Sequence, residues 1–199
     1  MKYYSILILL CMIVVPCTVK CEESKYTKWN LEVSQAYMYS TNSLFKDVYG
    51  NAYPTFAGIS YQPRERVKLI SGLRLFKKGG HTILEPGDQN IPPDDVSLTH
   101  YSIPVDVYYA FKSEKFSPYI LVGFNYTIYK ETWKDEPISI TKKGLGFETG
   151  LGIIFYTRDK LSLSGGFLYS YASLKNEANI ENTTIPCYNF FVQLTWGIK

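Results

Sequence analysis

The sequence predicts an all-β fold: an eight-stranded, antiparallel, up-and-down barrel that crosses a membrane. Three observations point there. Apolar and polar residues alternate with period two over most of the chain beyond residue 28. The alternating segments run about 9–13 residues, the length of a tilted membrane strand, whereas globular strands run nearer ~5–6. Short and long connections between them alternate strictly, as in membrane barrels with turns at one end and loops at the other.

Each segment follows from its pattern. In "KWNLEVSQAYMY", Trp29, Leu31, Val33, Tyr37 and Tyr39 share one face, and Asn30, Glu32, Ser34 and Ala36 the other. "YPTFAGISY" is extended in character. "VKLISGLRLF" sets Val67, Leu69, Leu73 and Leu75 against Lys68, Gly72 and Arg74. "THYSIPVDVYYAF" sets Tyr101, Ile103, Val105, Val107 and Tyr109 against His100, Ser102 and Asp106. "PYILVGFNYTIY" is a less regular strand. "GLGFETGLGIIFY" places Leu145, Phe147, Leu151, Ile153 and Phe155 opposite four glycines and Glu148. "KLSLSGGFLYSYA" and "YNFFVQLTWGI" complete the set with the same alternation. Short turns fall at 62–66, 112–115 and 157–160; long polar loops fall at 40–52, 78–96, 130–140 and 174–186.

An apolar run at residues 6–15 follows Lys2. It is too short to span a bilayer and suits a secretory signal, which predicts residues 1–21 as signal peptide and 22–199 as the barrel domain. Lipidation at Cys17 or Cys21 stays open. With three of the four cysteines at or before position 21, Cys187 is left alone, so neither a disulfide scaffold nor a zinc site is expected. The formal net charge of +3 is too mild to argue for nucleic acid. The chain has 18 tyrosines, and Tyr37, Tyr39, Tyr109, Tyr156, Tyr171, Tyr188 and Trp196 fall where an interfacial girdle needs them.

Alternation alone does not say which face is inside. The polar faces carry Glu32, Lys68, Arg74, Asp106 and Glu148 at mid-strand, both signs together and among Gly and Ser. A narrow barrel can bring these five into one lumen charge cluster that pairs internally, with Glu148 meeting Arg74 or Lys68. That places the aromatic face towards lipid. The glycines of the Glu148 segment thin the wall and leave room for an inward group such as Tyr108. No helix follows "GLGFETG", so it is not a dinucleotide loop, and no cofactor is expected. His100 and Ser102 in "THYS" resemble the His-x-Ser strand pair of lipid A deacylases. Here Ile103 stands where that motif continues with Asn, and His100 lies on the polar face whereas that pair faces lipid.

The stretches "RVKLISGLRLFKKGG" (66–80), "YSIPVDVYYAF" (101–111), "SPYILVGFNY" (117–126) and "GLGFETGLGIIFYTRDKLSLSGGFLYSY" (144–171) resemble small porin-family outer-membrane β-barrel proteins, above all the PorT-like type of the Bacteroidetes. The likeness covers most of 28–199. It implies a Gram-negative outer membrane, contact with outer-membrane lipid and the barrel-insertion machinery, and a role in a secretion or assembly apparatus. The reading that follows is a non-enzymatic barrel with a plugged polar lumen, whose outer loops form a contact surface for a surface or envelope protein. A carrier of small hydrophobic solutes and a lipid A-modifying enzyme are the alternatives.

Overall fold

The computed structural model describes residues 29–81, 95–111, 115–134, 138–158, 160–176 and 183–198. The proposed signal at 1–21 lies outside them. Eight strands close into one barrel in chain order: β1 (Trp29–Ser40), β2 (Thr55–Arg64), β3 (Val67–His81), β4 (Asp95–Ala110), β5 (Phe116–Trp133), β6 (Ser139–Arg158), β7 (Leu161–Asn176) and β8 (Thr183–Ile198). Every neighbouring pair is antiparallel, and β8 pairs back onto β1 from Trp29↔Ile198 to Ser40↔Cys187. Closure leaves no free edge to template aggregation.

The faces point as the alternation requires. Leu31, Val33, Ile103, Val105, Leu151 and Trp196 are exposed, while Glu32, Asp106 and Glu148 are at most 3 % exposed. The aromatic residues form two outward levels. Trp29, Tyr109 and Trp196 lie near the turn end; Tyr37 and Tyr188 lie near the loop end. The side chain of Tyr156 is outside the described set.

The strands are longer than the sequence pattern suggests. β6 has 20 residues. At ~3.3 Å per residue and a tilt near 40° it rises roughly 50 Å, about twice the apolar band of such a barrel. Within the segments read as loops, residues 78–81, 95–96, 130–133, 139–140, 174–176 and 183–186 are strand. The wall continues there with Lys, Thr and Gly, which look like loop composition but complete the hydrogen-bond ladder.

A second departure is α1 (Ser43–Tyr49), a seven-residue helix inside the 40–52 connection. Asn42 caps it, its side chain accepting from the Phe45 amide at 3.0 Å. Gly50, at φ 64°, ends it with its amide donating to the Lys46 carbonyl. Phe45 and Tyr49, one turn apart, are buried in the barrel mouth, so this segment is a lid and not a free loop. Phe45 and Tyr49 join Met38, Phe76, Leu98, Tyr129, Leu174, Ile185 and Cys187 in an apolar cluster.

The glycines of β6 and β7 do make room for an inward ring, but it belongs to Tyr119 and not Tyr108. A Cβ at Gly152 would lie 2.6 Å from the Tyr119 hydroxyl, and one at Gly166 2.9 Å from it. Tyr108 packs beside Tyr119, centroids 5.0 Å apart.

Candidate functional site

The five lumen charges form two stations with Asp106 beside the second. Near the turn end, Glu32 is fully buried and accepts four hydrogen bonds. Its Oε1 takes the Ser60 hydroxyl at 2.5 Å and the Lys68 ammonium at 3.1 Å; its Oε2 takes Gln193 at 2.6 Å and Thr195 at 2.5 Å. A carboxylate has about four acceptor sites, so this one is saturated. The ligands come from β2, β3 and β8, and Glu32 itself is on β1. Lys68 also lies 5.1 Å from the centre of the Tyr108 ring.

Higher in the lumen, Arg74 of β3 forks onto Glu148 of β6. Nη1 meets Oε1 at 2.5 Å and Nη2 meets Oε2 at 3.1 Å. Asn125 of β5 donates to the same Oε1 at 3.0 Å, and Thr127 donates to the Asn125 carbonyl oxygen at 3.0 Å. This bidentate geometry is the strong form of an Arg–carboxylate contact. Asp106 is 3 % exposed and its Oδ1 has no hydrogen-bond partner.

The lumen is therefore filled, and its upper part is mixed: beside the apolar residues, Glu131 accepts from the Tyr129 hydroxyl at 2.9 Å and from the Trp133 indole N–H at 3.0 Å. Above the Arg74–Glu148 pair comes the apolar cluster under α1. Higher up, inward positions such as Phe76, Leu98 and Leu174 are apolar and share one cluster with the lid residues Phe45 and Tyr49. Among the described residues, one space of about 20 Å³ lies around Arg74, Asp106 and Tyr108, and one of about 30 Å³ between Arg74, His100 and Cys187. Each holds about one or two waters and no larger solute.

His100 and Ser102 both point into this lumen. His100 stacks on Phe76 with centroids 4.7 Å apart, and its Nδ1 has no partner. Ser102 is 2 % exposed, and its hydroxyl lies 3.5 Å from that of Thr127. Among the described residues, no group of His, Cys, Asp and Glu could hold a metal ion.

A closed, eight-stranded barrel with an aromatic outer wall and a charged interior now stands beside a match of residues 7–186 to the family described as "outer membrane protein beta-barrel domain". The chain belongs to that family. Among solved structures, this barrel is similar to Neisserial surface protein A, with TM-score 0.59 at 16 % identity over 86 % of this chain and 98 % of that one. It is similar to Ail, the attachment invasion locus protein of Yersinia pestis, with TM-score 0.53 at 13 % identity over 86 % and 98 %. It is also similar to outer membrane protein W of E. coli, with TM-score 0.52 at 13 % identity over 87 % and 98 %. At these identities the likeness is one of fold. No curated protein matches the sequence.

In an outer-membrane barrel the short turns and both chain ends face the periplasm, so α1 and the long connections are extracellular. The extracellular rim of this barrel carries a groove of about 570 Å³, bounded by Val48 of α1, Gly80, Asp95, Trp133 and Lys134. Asp95 bridges Lys134 at 3.1 Å and His81 at 2.9 Å. The Lys134 hydrogen bond and charge hold its carboxyl below the ordinary range. That link is present above the usual carboxylate pKa and lost as the pH falls through the lowered one. Of the predicted contact loops, residues 82–94, 135–137 and 177–182 lie outside the described set. The sequence reading missed this rim cluster, whose signal was a histidine, an acid and a lysine (His81, Asp95 and Lys134) at the strand ends beside two long connections.

Proposed function

We propose that this outer-membrane barrel is a non-conducting, non-enzymatic surface protein whose extracellular rim is its contact surface for another surface or envelope protein. The observation that carries the reading is the filled lumen. Two charge stations and an apolar plug under α1 leave water-sized spaces along the axis among the described residues. Function then falls to the exposed rim, where α1 and the ends of β3, β4 and β5 frame the groove. Barrel-insertion machinery and the surrounding lipid are the partners its biogenesis requires.

The apolar chamber beneath α1 favours a second reading, a carrier of small hydrophobic solutes. Its weakness is the chamber's size, because Phe45 and Tyr49 already occupy it. For a lipid A-modifying enzyme, His100 and Ser102 face the wrong way, into the lumen.

The purified barrel in planar bilayers is expected to show no discrete conductance steps, and lipid A from cells that overproduce it is expected to have an unchanged mass spectrum. Steady single-channel openings would sink the non-conducting reading. A change in lipid A that disappears in His100→Ala and Ser102→Ala variants would sink the non-enzymatic one.

A further inference from the structure

We propose that the lumen beside Asp106 binds a small, hard monovalent cation of the size of sodium. Asp106 of β4 is almost wholly buried, and its Oδ1 has no hydrogen-bond partner. That oxygen lies over Gly123 of β5, where a Cβ would collide with it, so the missing side chain leaves it room. Among the described residues Asp106 makes no ion pair. It borders a space of about 20 Å³, shared with Ser34, Arg74, Tyr108, Asn189 and Gln193. One water or one desolvated small cation fills a space of that size.

Charge decides between the two. At mid-lumen the carboxylates of Glu32, Asp106 and Glu148 face the bases Lys68 and Arg74. Both bases are spent. Lys68 donates to Glu32 at 3.1 Å, and both terminal nitrogens of Arg74 fork onto Glu148. Asp106 is left unmatched in a setting where a buried charge is stable only when paired. His100 borders the other small space and not this one. The next cations at inward positions of β3 and β6 are Lys78 and Lys142. They stand towards the mouth, roughly 13 and 20 Å along the strand from Arg74 and Glu148, too far to neutralise Asp106. Lys142 donates to the Thr183 hydroxyl there. A water would bring hydrogen bonds to Asp106 but no charge; a cation brings the charge.

The other residues bordering this space supply acceptors of the same kind. Asn189 spends its amide nitrogen on the Ser170 hydroxyl at 3.2 Å, and Gln193 spends its own on Glu32 at 2.6 Å. Their amide oxygens are left as acceptors, together with the Ser34 hydroxyl oxygen. A carboxylate, two amide oxygens and a hydroxyl make the all-oxygen set that hard cations take. Closure of the barrel assembles it, because Ser34 of β1 is directly opposite Gln193 of β8 across the seam. The small volume and the single free carboxylate favour a monovalent ion over calcium, which takes ~6–8 oxygen ligands. Arg74 also borders the space, with its charge already matched by Glu148. The site does not depend on the rim serving as a contact surface.

The test uses the full-length barrel folded into phosphatidylcholine vesicles, with sodium chloride exchanged for N-methylglucamine chloride at constant ionic strength. Sodium is expected to raise the thermal midpoint, read by circular dichroism of the strands, by several degrees and to saturate. Caesium is expected to give a smaller rise at the same concentration. Asp106→Asn, which keeps the shape and removes the charge, is expected to fold and to lose the rise. Asp95→Asn, at the exposed rim, is expected to keep it. Ser34→Ala with Asn189→Ala is expected to raise the sodium concentration at half-effect by about threefold or more. Equal midpoints in sodium and N-methylglucamine would overturn the proposal and leave a proton or a water at Asp106. So would equal rises with sodium and caesium, a full rise in Asp106→Asn, or its loss in Asp95→Asn. If Asp106→Asn does not fold, the Ser34→Ala/Asn189→Ala variant decides: an unchanged half-effect concentration overturns the proposal, and a shift to higher sodium supports it.

Discussion

Glu148→Leu is expected to destabilise the barrel by about 3–5 kcal/mol, because it strands the Arg74 guanidinium in the lumen with no anion on its fork. Arg74 lies almost wholly inside, with its side chain 15 % exposed, and Glu148 is fully buried. The loss belongs to the unpaired charge more than to the pair itself. Replacing both partners with apolar residues of similar volume, Arg74→Met with Glu148→Leu, is therefore expected to recover most of it. Urea-dependent unfolding in detergent micelles or vesicles reads both quantities. Equal midpoints for the single and double variants would show that Arg74 finds another partner, with Asp106 the nearest candidate.

The second large effect is expected at Glu32. Glu32→Leu removes the acceptor for Ser60, Lys68, Gln193 and Thr195 together, and a loss of about 3–5 kcal/mol follows from the stranded ammonium alone. Its signature differs from that of Glu148 in where it acts. Gln193 and Thr195 are on β8 and Glu32 is on β1, so this carboxylate holds the one seam that joins the two ends of the chain. Amide hydrogen exchange is expected to rise first along β1 and β8, with β5 and β6 staying protected until global unfolding. A uniform rise across all strands would show that the seam is held by its backbone ladder and not by Glu32.

Period two was enough to read which residues face inward. One parity choice fixes a whole strand, so the inward positions of Glu32, Lys68, Arg74, Asp106 and Glu148 followed from their apolar neighbours. Their partners did not follow. Which inward residue meets which depends on stagger around the barrel, a global quantity that no single strand encodes. That is why Arg74 and Lys68 stood as equal candidates for Glu148, and why Tyr108 was named where Tyr119 sits. α1 was missed for a different reason. Seven residues are fewer than a helical period needs to show itself, although Asn42 before it and Gly50 after it are ordinary start and stop signals. The upper strand ends were misread because Lys, Thr and Gly are loop-like in composition yet here continue a wall outside the lipid.

Cys187 adds one more consequence. Its thiol lies in the apolar chamber under Phe45 and Tyr49 and makes no disulfide. Among the described residues it is the one cysteine, and it is buried. Reagents in bulk water reach it only when the lid lifts. The rate at which a thiol-reactive dye labels the folded barrel is then a clock on the lid, and it runs at a position where no substitution is needed to install it.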